Sequence, residues 1–268
     1  MKPQTVLFVS AGPGAADLIT VRGARALAAA EVVLFDALTD PALRDLAPHA
    51  EWIDVGKRGF CDSTKQTAIN AALVRQGLSG RRVVRLKGGD ASVFGRLEEE
   101  LIALHAAGIA SEVVPGVTAA IAAAAQVQRP LTRRGSGRSV SLTTAMTQDG
   151  ELQAARSADT EVFYMAGRQL AALGRKLLEA GWPADTPVLA VSRAGCADAL
   201  SSDHTVAELA AASLLHRGRP TVVTVGAGAR PLTAARRGVG VSGHASPTNS
   251  SNTPGLAPHQ GLTRSLID

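Results

Sequence analysis

The residues best equipped for chemistry lie in one short stretch, Val84-Arg85-Leu86-Lys87-Gly88-Gly89-Asp90, followed closely by Val93-Phe94-Gly95-Arg96. An apolar run carrying two cations stops at two glycines and an acid. A strand that ends in a Gly-Gly turn lets bare backbone approach a ligand, because glycine has no Cβ and tolerates positive φ. Asp90 and Arg96 then stand at that strand's C-terminal edge, where open α/β sheets bind ligands. A second glycine loop, Ser10-Ala11-Gly12-Pro13-Gly14, follows the apolar run 5–9. Its spacing is not the GxGxxG of dinucleotide sites, and Asp36 is an ambiguous match to the ribose-binding acid of those sites. On loop statistics it reads equally well as a tight strand-to-helix turn.

Other charged candidates each carry a plain alternative. Asp36 could cap a helix, and Lys57 and Arg58 could be a solvated pair. Glu98-Glu99-Glu100 could be the exposed first turn of a helix, favoured by its dipole, and that reading is preferred for Glu98 and Glu100. Arg129, Arg133, Arg134 and Arg138 form either a basic linker or a grip for carboxylates, which guanidinium groups bind bidentately. The six histidines have no ligand spacing and there is no CxxC, so no metal site is expected.

These residues need a frame. Apolar runs at 5–9, 32–35, 52–55, 82–87 and 111–114 read as strands, with helices over about 20–30, 65–77, 96–107 and 118–126 between them. Alternation of this kind argues for an α/β fold with a largely parallel, doubly wound sheet. Pro130 to Arg138 reads as a linker. Strands at 140–144, 160–165, 187–191 and 221–225, with helices near 168–181 and 205–215, make a second α/β unit. The expected division is 1–130, 131–229 and a tail, 230–268, too rich in Gly, Ser, Pro and Thr to order itself.

The chain has 268 residues, 46% hydrophobic and only 3% aromatic, so its core must be built from Val, Leu, Ile and Ala. The net charge of +5 is mostly a tail effect: residues 229–268 hold four arginines and one aspartate, leaving +2 for the rest. That balance and the scarcity of aromatics argue against nucleic acid as a partner. No apolar run approaches the roughly 20 residues of a membrane span. The N-terminal residues carry no signal-peptide pattern, and two cysteines are too few for a disulfide framework, so a cytoplasmic location is expected.

The run VVRLKGGDxxVFGR, the loop 9–14, Val32–Asp36, Val55-Gly56-Lys57-Arg58 with Gln66 and Asn70, Pro115-Gly116-Val117-Thr118-Ala119 and Pro130-Leu131-Thr132 occur in an order that closely resembles the tetrapyrrole methylases. The resemblance covers about residues 5–226. It implies the two-domain fold of class III S-adenosylmethionine (SAM) methyltransferases, each domain a mostly parallel or mixed sheet flanked by helices. It implies methyl transfer from SAM to a porphyrinogen, with no metal, in a homodimer. The Gly-Lys-Arg block points to the branch acting on uroporphyrinogen III.

Carried over position by position, the resemblance implies SAM contacts at Pro13, Gly88, Gly89, Asp90, Val93, Thr118, Ala119, Met165, Ala194 and Thr221. It implies Asp36 as proton acceptor and Lys57 as proton donor, with Arg96, Glu99 and Arg134 facing the macrocycle. The chain departs from the family pattern at Ala15, at Ala91-Ser92, at Leu97-Glu98 and across 125–134. A methylase of another corrin precursor, an RNA ribose methyltransferase and a binding protein without turnover therefore stay open as alternatives.

Overall fold

Five short apolar runs near the N-terminus become five strands: β1 (Val6–Ser10), β2 (Val32–Phe35), β3 (Glu51–Asp54), β4 (Val83–Lys87) and β5 (Ser111–Val114). They lie in the order β3-β2-β4-β1-β5, and every pairing is parallel. All five C-terminal ends therefore meet on one edge, which is where the glycine turns and Asp36 fall. The computed structural model describes residues 4–56, 66–146 and 152–232. The readings for Lys57, Arg58 and the tail beyond 232 lie outside the described residues.

Helices α2 (Gln66–Gly77) and α3 (Leu97–Ala106) cover one face of this sheet. Ile69, Leu73 and Leu104 pack there against Phe8, Leu34 and Val83. Helix α1 (Val21–Ala28), capped by the Thr20 hydroxyl accepting from the Gly23 N–H at 3.1 Å, lies on the opposite face. Its Leu27 packs with Val9, Val33, Val84 and Leu86. β4 is buried along its whole length. Alternation along it puts Val83, Arg85 and Lys87 on the α2/α3 side and Val84 and Leu86 on the other.

The second sheet holds β6 (Val140–Thr144), β7 (Thr160–Tyr164), β8 (Pro187–Ser192), β9 (Leu200–Thr205) and β10 (Thr221–Gly226) in the order β6-β7-β10-β8-β9. Only β6 and β7 run parallel; the other pairings are antiparallel. Helices α5 (Leu170–Glu179) and α6 (Ala212–His216) cover one face. The other face receives α4 (Ala119–Gln126), which follows directly from the first sheet. Its Ala122 and Ala123 touch Leu189 and Val191, and its Ala120 touches Val162, Tyr164 and Val222. The face that α4 turns to the strands carries only alanine methyls, so its backbone lies close to them.

One expectation needs correcting. The helix expected near 205–215 falls at 209–216, a 3-10 turn at 209–211 followed by α6, whereas residues 200–205 are the edge strand β9, which was not expected. Leu-Ser-Ser-Asp-His-Thr has no apolar alternation to announce a strand. Antiparallel hydrogen bonding to β8 orders it, and a polar edge suits solvent. The helix near 168–181 is α5 at 170–179, preceded by a 3-10 turn at 166–168. Among the described residues no helix is long and apolar enough to cross a membrane.

Neighbouring leucines on α5 test the placement of this core. Leu177 is fully buried, whereas Leu178 is 43% exposed. Leu177→Ala should cost about 2–5 kcal/mol in denaturant unfolding. Leu178→Ala should change stability by no more than about 0.5 kcal/mol. Equal losses would place α5 in a different rotation.

Candidate active site

Four charged side chains meet beneath the C-terminal edge of the first sheet. Arg85 is 1% exposed, yet each of its five N–H donors finds an acceptor. Nε and Nη2 reach the Glu100 carboxylate at 3.0 and 3.1 Å. Nη1 reaches the Leu34 and Leu86 carbonyls at 3.3 and 3.0 Å. The remaining Nη2 proton goes to Asp36 Oδ1 at 2.7 Å. Lys87 Nζ donates to Glu100 Oε1 at 2.8 Å, and Gln66 from α2 donates to the same oxygen at 3.3 Å.

Burial weighs against the Arg85 cation, but Asp36 and Glu100 outweigh it and hold its pKa above the ordinary value. For Lys87 burial wins: it and the adjacent Arg85 push the ammonium below its ordinary range, against the pull of Glu100 and Asp36. Glu100 is thus a correction to the sequence reading, which placed it on an exposed helix turn. It is 0% exposed. The signal was present: Glu100 shares the apolar stripe of Leu97, Leu101 and Leu104, and Glu98 does not.

The two glycine loops hold each other. Gly12 and Gly89 exchange backbone hydrogen bonds, at 3.2 Å from the Gly12 N–H and 2.7 Å from the Gly89 N–H. The Gly89 backbone is therefore already paired, contrary to the expectation of bare groups for a ligand. Its positive φ of 71° still calls for glycine, and a Cβ there would meet nothing within 4 Å, so the space above the turn is open. The Asp90 carboxylate accepts from the N–H groups of Ser92 and Gly116, both at 2.8 Å, which ties the β4 turn to the turn after β5. A Cβ on Gly116 would come within 2.5 Å of the Ser10 Cβ, so that approach also requires glycine.

The second half closes on this edge at three places. Thr118 Oγ1 and the Tyr164 hydroxyl lie 2.8 Å apart, and that hydroxyl accepts from the Ala120 N–H at 3.2 Å. Phe94 leans on the Tyr164 ring, with centroids 5.0 Å apart. The Ala15 N–H donates to the Gly195 carbonyl at 3.0 Å, placing the Pro13-Gly14 loop against the segment after β8. Phe94, Arg96, Met165 and Arg193 all adopt positive φ, between 51° and 57°. Such conformations are costly for side-chain-bearing residues and concentrate at functional sites. Phe94 and Met165 are, besides, apolar and about two-fifths exposed.

Most residues expected to touch a cofactor therefore share this seam. Gly88, Gly89, Asp90 and Pro13 lie on its first wall. Thr118, Ala119 and Val93 lie beside Tyr164, and Met165 and Ala194 end the strands of the second wall. Thr221 sits deeper. Its hydroxyl lies 2.8 Å from that of Ser192, which contacts His216 Nδ1 at 2.5 Å, while Ser202 contacts His216 Nε2 at 2.8 Å. Asp36 caps no helix; it is partly exposed and lines a cavity of about 280 Å³ with Phe35, Thr39, Asp40, Arg44 and Trp52.

Arg96 and Glu99 are exposed and paired to each other at 2.7 and 2.8 Å, which leaves the Arg96 Nη1 donors open. The arginine cluster comes apart. Arg129 is paired with Asp203 and the Ala229 carbonyl, and Arg133 with the Arg230 carbonyl, so both serve structure. Arg134 and Arg138 stay exposed, and no contact joins Arg134 to the seam. A second cavity, of about 300 Å³, lies near Asp159, Trp182 and Pro187, at the opposite end of the second sheet from the seam. Sequence reasoning assigned no site role to Glu100, Tyr164 or Phe94, although Phe94 lies inside the Val93-Phe94-Gly95-Arg96 run.

Residues 5–210 match the family model of the Tetrapyrrole (Corrin/Porphyrin) Methylases. A uroporphyrinogen-III C-methyltransferase of Pseudomonas aeruginosa is 45% identical over 193 residues, 70% of this chain and 79% of that protein. One of Bacillus subtilis is 42% identical over 201 residues, 71% of this chain but only 41% of that longer protein. A solved uroporphyrin-III C-methyl transferase of Thermus thermophilus, complexed with S-adenyl homocysteine, superposes with a TM-score of 0.73 at 34% identity, covering 83% of this chain and 97% of that one.

Two measurements test the seam itself. Tyr164→Phe removes the acceptor of the buried Ala120 N–H and should cost about 1–3 kcal/mol of stability; an unchanged unfolding midpoint would mean that the hydroxyl joins nothing. Burial, then His204 and Arg219, hold the His216 imidazole below its ordinary value of 6.5. The unfolded chain therefore takes up that proton first, and stability is full above about pH 6.5 and lost as pH falls further. His216→Asn should lose less melting temperature than the parent between about pH 7 and 5. Parallel slopes would exclude His216 as a source of that dependence.

Proposed function

The chain belongs to the tetrapyrrole methylase family, and we propose that it transfers methyl groups from SAM to ring carbons of uroporphyrinogen III, giving precorrin-2 for sirohaem or corrinoid synthesis. The observation that carries this reading is a convergence on one sheet edge. An open glycine turn, a carboxylate held by a buried guanidinium and an exposed Arg96–Glu99 pair all lie there. The residues present suit the cofactor. Apolar walls from Val93, Ala119, Met165 and Ala194 fit an adenosine, and the space above Gly89 admits it. When bound, SAM supplies an electrophilic methyl on a sulfonium.

The work left to the protein is placement. A ring carbon of the porphyrinogen attacks in line, so the C–C bond forms as the carbon–sulfur bond breaks. The positive charge then left on the macrocycle is discharged by loss of a proton. Asp36 takes that proton: its Oδ1 is occupied by Arg85, and the side chain is partly open at the strand edge. Arg96, oriented by Glu99, offers its free donors to a substrate carboxylate, and exposed Arg134 offers a second grip. Lys57, outside the described residues, is the proton donor in this reading.

Anaerobic incubation with SAM and enzymatically generated uroporphyrinogen III should give a dimethylated product with shifted absorbance. Folded, SAM-binding protein that forms no product from verified substrate would overturn the reading. Arg96→Ala and Arg134→Ala should each lower kcat/KM for the tetrapyrrole about ten- to a hundredfold, with SAM affinity kept. Arg138→Ala, exposed in the same cluster, should do little; equal harm from all three would indicate a diffuse basic patch.

A further inference from the structure

The buried set around Arg85 includes a carboxylate for which the reaction has no direct use. Glu100 touches no substrate-facing space. Its two oxygens receive Arg85 twice, Lys87 once and Gln66 once. A buried charge network of this kind is weak evidence for stability, because apolar residues of similar volume often serve the fold as well. What it does supply is direction.

A guanidinium is a planar fork, so fixing two of its nitrogens fixes the third. Glu100 holds Nε and one Nη2 proton, and the Leu34 and Leu86 carbonyls hold Nη1. The single donor that remains points at Asp36 Oδ1, at 2.7 Å. Oδ2 of Asp36 has no hydrogen bond to any other described residue, and its side chain is 29% exposed. One oxygen is anchored and the other is left to face the open strand edge.

We propose that Glu100 is a positioning residue for the reaction: by locking the Arg85 fork it aims the Asp36 carboxylate at the macrocycle. The inference rests on the reading of Asp36 as proton acceptor. Lys87 completes the arrangement by balancing the second negative charge, so the buried set of two cations and two carboxylates is neutral. Glu100 reaches Asp36 only through the Arg85 side chain, so its effect must pass through Arg85 and Asp36.

That route is testable with a double-mutant cycle. Glu100→Gln keeps the shape and removes the charge. It should lower kcat about tenfold or more, with KM for the tetrapyrrole and Kd for SAM within about twofold of the parent. Glu100→Asp, which keeps the charge on a shorter arm, should recover part of the loss. In an Asp36→Asn background, whose residual turnover is measurable in long incubations, Glu100→Gln should change kcat by less than about twofold, because its target is already gone. If Glu100→Gln does not fold, as judged by lost SAM binding, Glu100→Asp carries the same cycle. The same fold-loss in both backgrounds, or a parent-like kcat in the single variant, overturns the positioning role while leaving Asp36 in place. Full turnover in Asp36→Asn alone overturns the reading of Asp36, and this inference with it.

Discussion

Much of this structure follows from putting a guanidinium in the middle of a parallel sheet. Arg85 occupies the central strand β4 and is 1% exposed. Removing an ion from water costs several kcal/mol even after relaxation, and only close, well-directed counter-charges offset that. The counter-charges come from two other elements. Asp36 comes from the end of β2, and Glu100 from the first turns of α3. Satisfying Arg85 therefore fixes where β2 stops and how α3 is rotated. Because Glu99 and Arg96 sit on that same helix start, it also places the exposed pair that faces outward.

A second constraint acts along the seam, and it is steric. The loops after β1, β4 and β5 come together, and at Gly116 the approach leaves no room for a side chain. Gly12 pairs with Gly89, and Gly116 presses on Ser10. Across the seam, a Cβ on Gly14 would lie 2.7 Å from the Gly195 backbone. Opposite them, α4 meets the second sheet through alanines alone. The alanines of α4 and the glycines at these turns thus serve one end, close approach along this seam. The few aromatics present are correspondingly placed, with Tyr164 bonding Thr118 and Ala120 across the seam.

The first sheet was legible in the sequence because each of its strands carries apolar residues and stops at, or within two residues of, a Gly, Asp or Pro. The edge strand β9 was not, since hydrogen bonds rather than apolar burial order it. Asp36, Gly88, Gly89 and Asp90 were legible as a candidate site because all fall at strand ends that a parallel sheet gathers. Glu100 was hidden by company. In a run of three glutamates the dipole explains all of them equally, and only helical phase against Leu97 and Leu104 singles out the third. The arginine cluster failed in the opposite way. Adjacency suggested one basic patch, yet Arg129 and Arg133 turn to separate partners 70 or more residues distant along the chain. Charge proximity in sequence says little about charge proximity in space where the chain is not regular.

The neutrality of the buried set bears on the proposed substrate. A tetrapyrrole with many carboxylates would be repelled by a bare carboxylate base, and the repulsion would be strong in a low-dielectric cleft. Arg85 alone would cancel Asp36, but it would then need a second acid for its remaining donors, and that acid would restore the negative charge. Lys87 removes it. Two cations against two carboxylates leave the set without net formal charge toward an anionic ligand. Attraction for the substrate is then left to arginines at the surface, where it can be tuned without disturbing the base. On this argument the buried lysine serves no chemistry of its own. In the proposed reading it is what lets a carboxylate base sit beneath a polyanionic substrate.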